Sequence, residues 1–167
     1  IVVVPGACGH FEEEDLPPEL IPDYILNPGM EMPVLEIDGH DYIGYLSIPV
    51  LGLDLPVMSS LSYPKLKIAP CRYAGSAYLD NLIIAAHNYK RHFGGLKDLS
   101  IGDAVTFTDI DGNVFSYAVT EVTQFEPNQA AELRSDVESW DLTLFTCTLG
   151  GRHRVTVRCE RSEEMPV

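Results

Sequence analysis

The stretch LTLFTCTLGGRHRVTVRCER, residues 142–161, packs two cysteines and four arginines into twenty residues. A thiolate is a strong nucleophile, and a guanidinium beside it can stabilise the thiolate or an oxyanion formed on a substrate carbonyl. Strand side chains alternate between faces, so the pattern separates these groups. In 141–147, Leu142, Leu144 and Thr146 share one face, and Thr143, Phe145 and Cys147 share the other. In 154–161, Val155, Val157 and Cys159 share one face, and Arg154, Thr156 and Arg158 the other. Cys159 therefore goes with the valines as an inert core thiol. Cys147 ends its strand, opposite the leucines, and is followed by the loop Thr148-Leu149-Gly150-Gly151. If the two strands are antiparallel neighbours, Arg154 comes to the same edge as Cys147, whereas Arg158 lies about 13 Å further along. Strand geometry alone leaves two roles open for Arg154, a partner of the thiol or a surface charge at a strand end.

A cysteine nucleophile also needs an acid–base group. The five histidines are His10, His40, His87, His92 and His153. His10 and His40 sit in the acidic N-terminal third, and His153 falls on the Val155 face. His87 stands at the end of NLIIAA, where a buried strand delivers it to an edge, and His92 follows in a loop. A structural role for His87 competes with the catalytic one until the strand-end Cys and Arg are considered with it. The four cysteines (Cys8, Cys71, Cys147, Cys159) contain no CxxC pair, so a structural zinc site is not expected. CGH at Cys8–His10 offers too few ligands to chelate a metal, and no cofactor is expected. Cys71 could form a disulfide with Cys8 or Cys159, and a pairing with Cys147 would block catalysis.

The elements that must hold these residues read as strands. YIGYLSIPV (42–50), LPVM (55–58) and NLIIAAHN (81–88) are β-branched or apolar runs. Residues 104–125 alternate on either side of Asp111-Gly112, the signal of a hairpin. FGGLKDLSIGD (93–103) suggests one helical turn and then a turn at Gly102-Asp103. EPNQAAELRSDVESW (126–140) has the apolar spacing of a short helix. DLTLFTC and RVTVRCER are the last two strands. Many short strands and few helices predict a mainly β barrel or sandwich. Residues 1–36 contain six prolines and many acidic groups, and read as an N-terminal arm with at most one short helix. Residues 37–167 are expected to form the single domain. Residues 1–64 hold eleven Asp/Glu and no Lys or Arg, and the whole chain has a formal charge of −14. Such a chain repels phosphate backbones, which argues against nucleic acid as a partner. No run of about 18–20 apolar residues is present, so membrane attachment is expected only through an anchor upstream of Ile1.

TLFTC (143–147) resembles the TLxTC signature of sortases, the cysteine transpeptidases of Gram-positive bacterial surfaces. Arg154 matches the arginine that family places on the strand after the Cys loop, and IAAHN (84–88) is similar to its strand-end histidine. YIGYLSIPVLGLDLPV (42–57) resembles its first barrel strands, and the likeness runs over about residues 40–161. It implies a closed eight-stranded β-barrel with a few short helices and an active groove on the outer wall. It also implies cleavage of a C-terminal LPxTG-like sorting motif in a secreted protein, with transfer to an amine such as a cell-wall peptide or a pilin lysine, at the outer face of the membrane. In these roles Cys147 is the nucleophile, Arg154 the oxyanion holder and His87 the proton carrier. Thr143 and Phe145 would line the groove, with Thr146, Ala86 and Asn88 also near substrate. HN at 87–88 is similar to class B members, 126–140 is shorter than their usual insertion, and the arm lacks the Asp-Pro-aromatic lid of many pilin-polymerising members, so the subclass stays open. The alternatives are a cysteine hydrolase using the same three groups and a non-catalytic β-barrel binding domain. The Ser-His-Gly-Cys context of cysteine L,D-transpeptidases is not matched.

Overall fold

The computed structural model describes residues 21–87, 89, 91–125, 140–146 and 154–162. Among the described residues nine strands carry the fold: β1 Leu35–Ile37, β2 His40–Ile48, β3 Leu53–Met58, β4 Cys71–Ala74, β5 Leu82–Ala86, β6 Ala104–Asp109, β7 Val114–Phe125, β8 Leu142–Thr146 and β9 Arg154–Arg161. Around the sheet they run β1-β2-β3-β4-β5-β8-β9-β7-β6, and β6 pairs back onto β2. Eight strands, β2 to β9, thus close a barrel, and β1 is a short addition on β2. The helical elements are brief: α1 (Asp23–Leu26), α2 (Tyr63–Leu66) and three single 3-10 turns. The expected helix at 126–140 lies almost wholly outside the described residues.

Closure depends on Gly44. Along one edge of β2, β1 pairs with residues 40–42 and β6 takes over at 44–47, with a bulge on the β3 side between Tyr42 and Gly44. Gly44 has φ 152°, and a Cβ there would stand 2.0 Å from the Thr108 carbonyl oxygen. Only a residue without a side chain lets β6 approach this closely.

The barrel interior is filled from alternate positions of the strands. Leu46 and Ile48 of β2, Leu82, Ile84 and Ala86 of β5, Leu142 and Leu144 of β8, and Val157 and Cys159 of β9 share one core cluster. A second cluster lies on the outer face of β5 and β8, where Ile83, Ala85 and Phe145 meet Met58, Leu66, Ala69 and Cys71. The segment carrying α2 supplies the cover, and α2 is capped by the Ser62 hydroxyl accepting from the Lys65 N–H. The resemblance implies that Phe145 lines a groove on this outer wall; tertiary packing buries its side chain.

The 104–125 hairpin forms as the alternation predicts. Its turn is wider than two residues: the Asp109 N–H donates to the Asn113 carbonyl, and Gly112 takes φ 89°. At that turn Asp109 is buried and accepts from the Tyr78 hydroxyl (2.6 Å), the Asn113 N–H (2.8 Å) and the Asn113 side-chain amide (2.9 Å). Tyr24 of α1 stacks on Tyr78 at 4.8 Å and 15°, and tilts against Phe115 at 5.1 Å. Met32 is buried in the barrel core, and β1 straddles the 36/37 boundary expected between arm and domain.

Candidate active site

Two pairings align the outer face of the barrel. β5 runs parallel to β8, with Ile83 opposite Thr143 and Ala85 opposite Phe145. β8 runs antiparallel to β9, with Thr143 opposite Arg158 and Phe145 opposite Thr156. β7 extends the rows, placing Glu121 beside Arg158 and Thr123 beside Thr156. The outward row Ala85–Phe145–Thr156–Thr123 therefore crosses four strands. His87 follows Ala86 at the end of β5, and Cys147 follows Thr146 in the sequence. β9 begins at Arg154, whose backbone pairs with Phe125. Cys147 and Asn88 lie outside the described residues, as do Cys8, His10 and His153.

The described candidates divide by face. Ala86 belongs to the interior core, so a substrate on the outer wall could reach only its backbone. Thr146 shares the inward parity, and its hydroxyl accepts from the Val155 N–H at 3.0 Å, tying the ends of β8 and β9 together. Thr143 and Phe145 share the outward parity with Cys147 but are themselves buried. Phe145 packs edge-on against Tyr73 at 5.3 Å. Among these positions it is Tyr73, partly buried over the second cluster, that carries aromatic surface outward.

The two described cysteines and Arg158 have other surroundings. Cys159 is fully buried, and desolvation pushes its thiol up to about 12. Cys71 donates its thiol hydrogen to the Ala69 carbonyl at 3.5 Å in the outer cluster. The two thiols lie in clusters on opposite faces of the wall, which excludes a Cys71–Cys159 disulfide. Arg158 is buried, with its Nε 3.7 Å from Glu121 Oε2 and its guanidinium 5.7 Å from the centre of the Trp140 ring. It lies two rows below the β9 strand end that starts at Arg154.

His87 is half-buried, and its ring stacks on Tyr89 at 4.1 Å with 8° between the planes. The segment then folds back. The Phe93 N–H donates to the His87 carbonyl, and the Tyr89 carbonyl accepts from the N–H groups of His92 and Gly94. Phe93 and Leu96 anchor the fold-back in the barrel core. His92 is buried 5.5 Å from the Tyr89 ring, and its Nδ1 has no hydrogen-bond partner among the described residues. Burial lowers the basicity of His92, and the charges of Arg91 and His87 lower it further, against a hydrogen bond to the Ile68 backbone. Sequence reasoning placed His92 in a loop and passed over Tyr89, although HNYKRHF (87–93) interleaves two histidines with aromatic rings. No helix among the described residues is long and apolar enough to cross a membrane.

A closed eight-stranded barrel whose parallel β5–β8 pair ends in a histidine and a TLxTC cysteine defines a narrow class of proteins. The Sortase domain model matches residues 46–162, and the chain belongs to the sortase family. It is 29% identical over 116 residues to Sortase A of Bacillus anthracis, a match covering 66% of this chain and 54% of that protein. The chain thus spans about half the length of that relative. Among solved structures it resembles sortase C1 of Streptococcus suis (28% identity, TM-score 0.62, covering 75% of each chain). It also resembles sortase C1 of Streptococcus agalactiae (27% identity, TM-score 0.63, covering 78% of this chain and 72% of that one).

Proposed function

We propose that the protein is a cysteine transpeptidase that cleaves a C-terminal LPxTG-like sorting motif in a secreted protein and joins the new C-terminus to an amine. Strand register carries this reading. Leu82–Ala86 pairs residue by residue with Leu142–Thr146, and Leu142–Phe145 with Thr156–Cys159. Continued by one residue on the β5 side and by two on the β9 side, the registers would bring the Cys147 position opposite His87 and Arg154, about 5 Å from each neighbouring strand.

In this arrangement the Cys147 thiolate adds to the carbonyl of the motif's threonine. The Arg154 guanidinium stabilises the oxyanion. As the C–N bond breaks, His87 delivers a proton to the departing amine, leaving a thioester on Cys147. The incoming amine then adds to that carbonyl, gives its proton to His87, and expels the thiolate with formation of the new amide. Amide products require that the amine outcompete water at the thioester. The acceptor would be a cell-wall precursor peptide or a pilin lysine, which places the reaction at the outer face of the membrane of a Gram-positive cell. Residues 37–167 would form the catalytic domain, with 1–36 as an arm. Backbone groups at Ala86, Asn88 and Thr146, and the covered floor of Thr143 and Phe145, would shape the groove.

Mass-spectrometric trapping of an acyl-enzyme tests the proposal, using a panel of LPxTG- and NPxTN-type peptides. The expected adduct lies on Cys147, forms slowly or not at all in His87→Ala and Arg154→Ala, and is resolved by an added amine. Normal acylation in Arg154→Ala together with loss in Arg158→Ala would overturn the arginine assignment. Only hydrolysed peptide, with or without amine, would make the protein a hydrolase. An unmodified Cys147 with every peptide would favour a non-catalytic barrel.

A further inference from the structure

We propose that Tyr89 is a positioning residue for His87, a fixed aromatic platform that holds the imidazole in one orientation at the mouth of the β5–β8 strand pair. The inference rests on the reading of His87 as the proton carrier. His87 lies one residue beyond the last strand pair, where the sheet no longer fixes its side chain. A proton carrier that serves both a leaving and an incoming amine loses rate when its imidazole has the freedom to sample several rotamers.

The stack removes that freedom. The His87 and Tyr89 rings lie 4.1 Å apart and 8° from parallel, an extended area of contact rather than an edge touch. Tyr89 is itself restrained on several sides. Its carbonyl accepts two backbone hydrogen bonds, from His92 at 2.9 Å and from Gly94 at 2.8 Å. The buried His92 ring tilts against it at 5.5 Å, and the Arg91 guanidinium sits 5.0 Å from its centre. The next residues, Phe93 and Leu96, are packed in the barrel core, so the platform is tied to the interior and not to a free loop. The phenol hydroxyl plays no part in this geometry. The ring face does, and phenylalanine would supply the same face.

Two readouts test the proposal. In the wild-type protein labelled at histidine and tyrosine, an NOE is expected between the two rings, with the His87 ring protons shifted upfield by the Tyr89 ring current. Tyr89→Phe should keep that shift and the wild-type turnover of whichever LPxTG- or NPxTN-type peptide acylates Cys147. Tyr89→Leu should move the His87 signals downfield and lower kcat about tenfold, with KM within about twofold. A wild-type spectrum without the NOE overturns the platform with no variant needed, even if Tyr89→Leu fails to fold. So does a folded Tyr89→Leu that turns over at the wild-type rate while His87→Ala is dead; the transpeptidase reading then stands alone. Full activity in His87→Ala would remove the catalytic reading and the positioning role with it, leaving the stack as packing.

Discussion

Two of the four cysteines, Cys71 and Cys159, lie among the described residues and occupy environments distinct enough to predict their chemistry. Cys159 is enclosed by the barrel core, and a thiol raised to about 12 is unreactive at neutral pH. Cys71 is buried beneath α2 with its thiol hydrogen on a carbonyl. Iodoacetamide should therefore modify Cys147 in the native protein, on the proposed reading, and leave Cys71 and Cys159 untouched until denaturant is added; peptide mapping by mass spectrometry checks this. His92 gives a second expectation at the same scale. Its buried ring stays neutral where the unfolded chain would bind a proton, chiefly through desolvation, with Arg91 and His87 adding to the effect. Its folded pKa lies below its unfolded value, so its contribution is present above about pH 6.5 and is lost as pH falls through that value toward the lower folded one. Urea midpoints measured from pH 8 to pH 5 should fall more steeply for the wild type than for His92→Leu in that window. Parallel curves would mean that His92 is not buried neutral.

Short pairings between elements set the geometry of the site. The Thr146 hydroxyl accepts the Val155 N–H near the described end of the β8–β9 ladder; on the proposed reading, an opening of the ladder there would part Cys147 from Arg154. Thr146→Val keeps the shape but leaves that N–H without its acceptor, and should cost about 1–3 kcal/mol in urea unfolding while slowing acylation. A variant with wild-type stability would show that the bond is not made in solution. On the opposite wall, Gly44 lets β2 change partners from β1 to β6. Gly44→Ala drives a methyl group into the Thr108 carbonyl and forces a side chain into positive φ, so a loss of about 2–4 kcal/mol is expected by the same measurement.

Across the whole molecule the barrel has two ends with different work. His87 ends β5, whereas Tyr78, Asp109 and Asn113 lie at the opposite end, before β5 starts and where β6 turns into β7. There a buried carboxylate is satisfied by three donors, and Tyr24 closes over it. Burial and the Asp109 carboxylate both push the Tyr78 phenol far up, so it remains a donor throughout the working pH range. Tyr78→Phe takes one donor from a buried carboxylate and should cost about 1–3 kcal/mol of stability. Peptide turnover below the melting temperature should not change, because the loss is at the far end of the barrel. A drop in kcat would show that the two ends are coupled.

The faces of single strands were legible in the sequence because side-chain alternation is local. The pattern TLFTC followed by RVTVRCER assigned Cys159 to the interior, and the structure places it there. The alternation around Asp111-Gly112 likewise pointed to the β6–β7 hairpin, and the antiparallel β8–β9 neighbourhood, only a condition in the sequence reading, is met in the structure. Other features depended on contacts between residues distant in the chain. The parallel pairing of β5 with β8 brings the His87 strand beside the Cys147 strand across the intervening β6 and β7, and no local pattern encodes it. The second apolar cluster that takes in Phe145, the burial of Thr143, the interior side chain of Ala86, and the Tyr89 ring against His87 likewise follow from which surfaces meet. Alternation tells each side chain which face of its strand it occupies; only closure of the barrel decides what lies against that face.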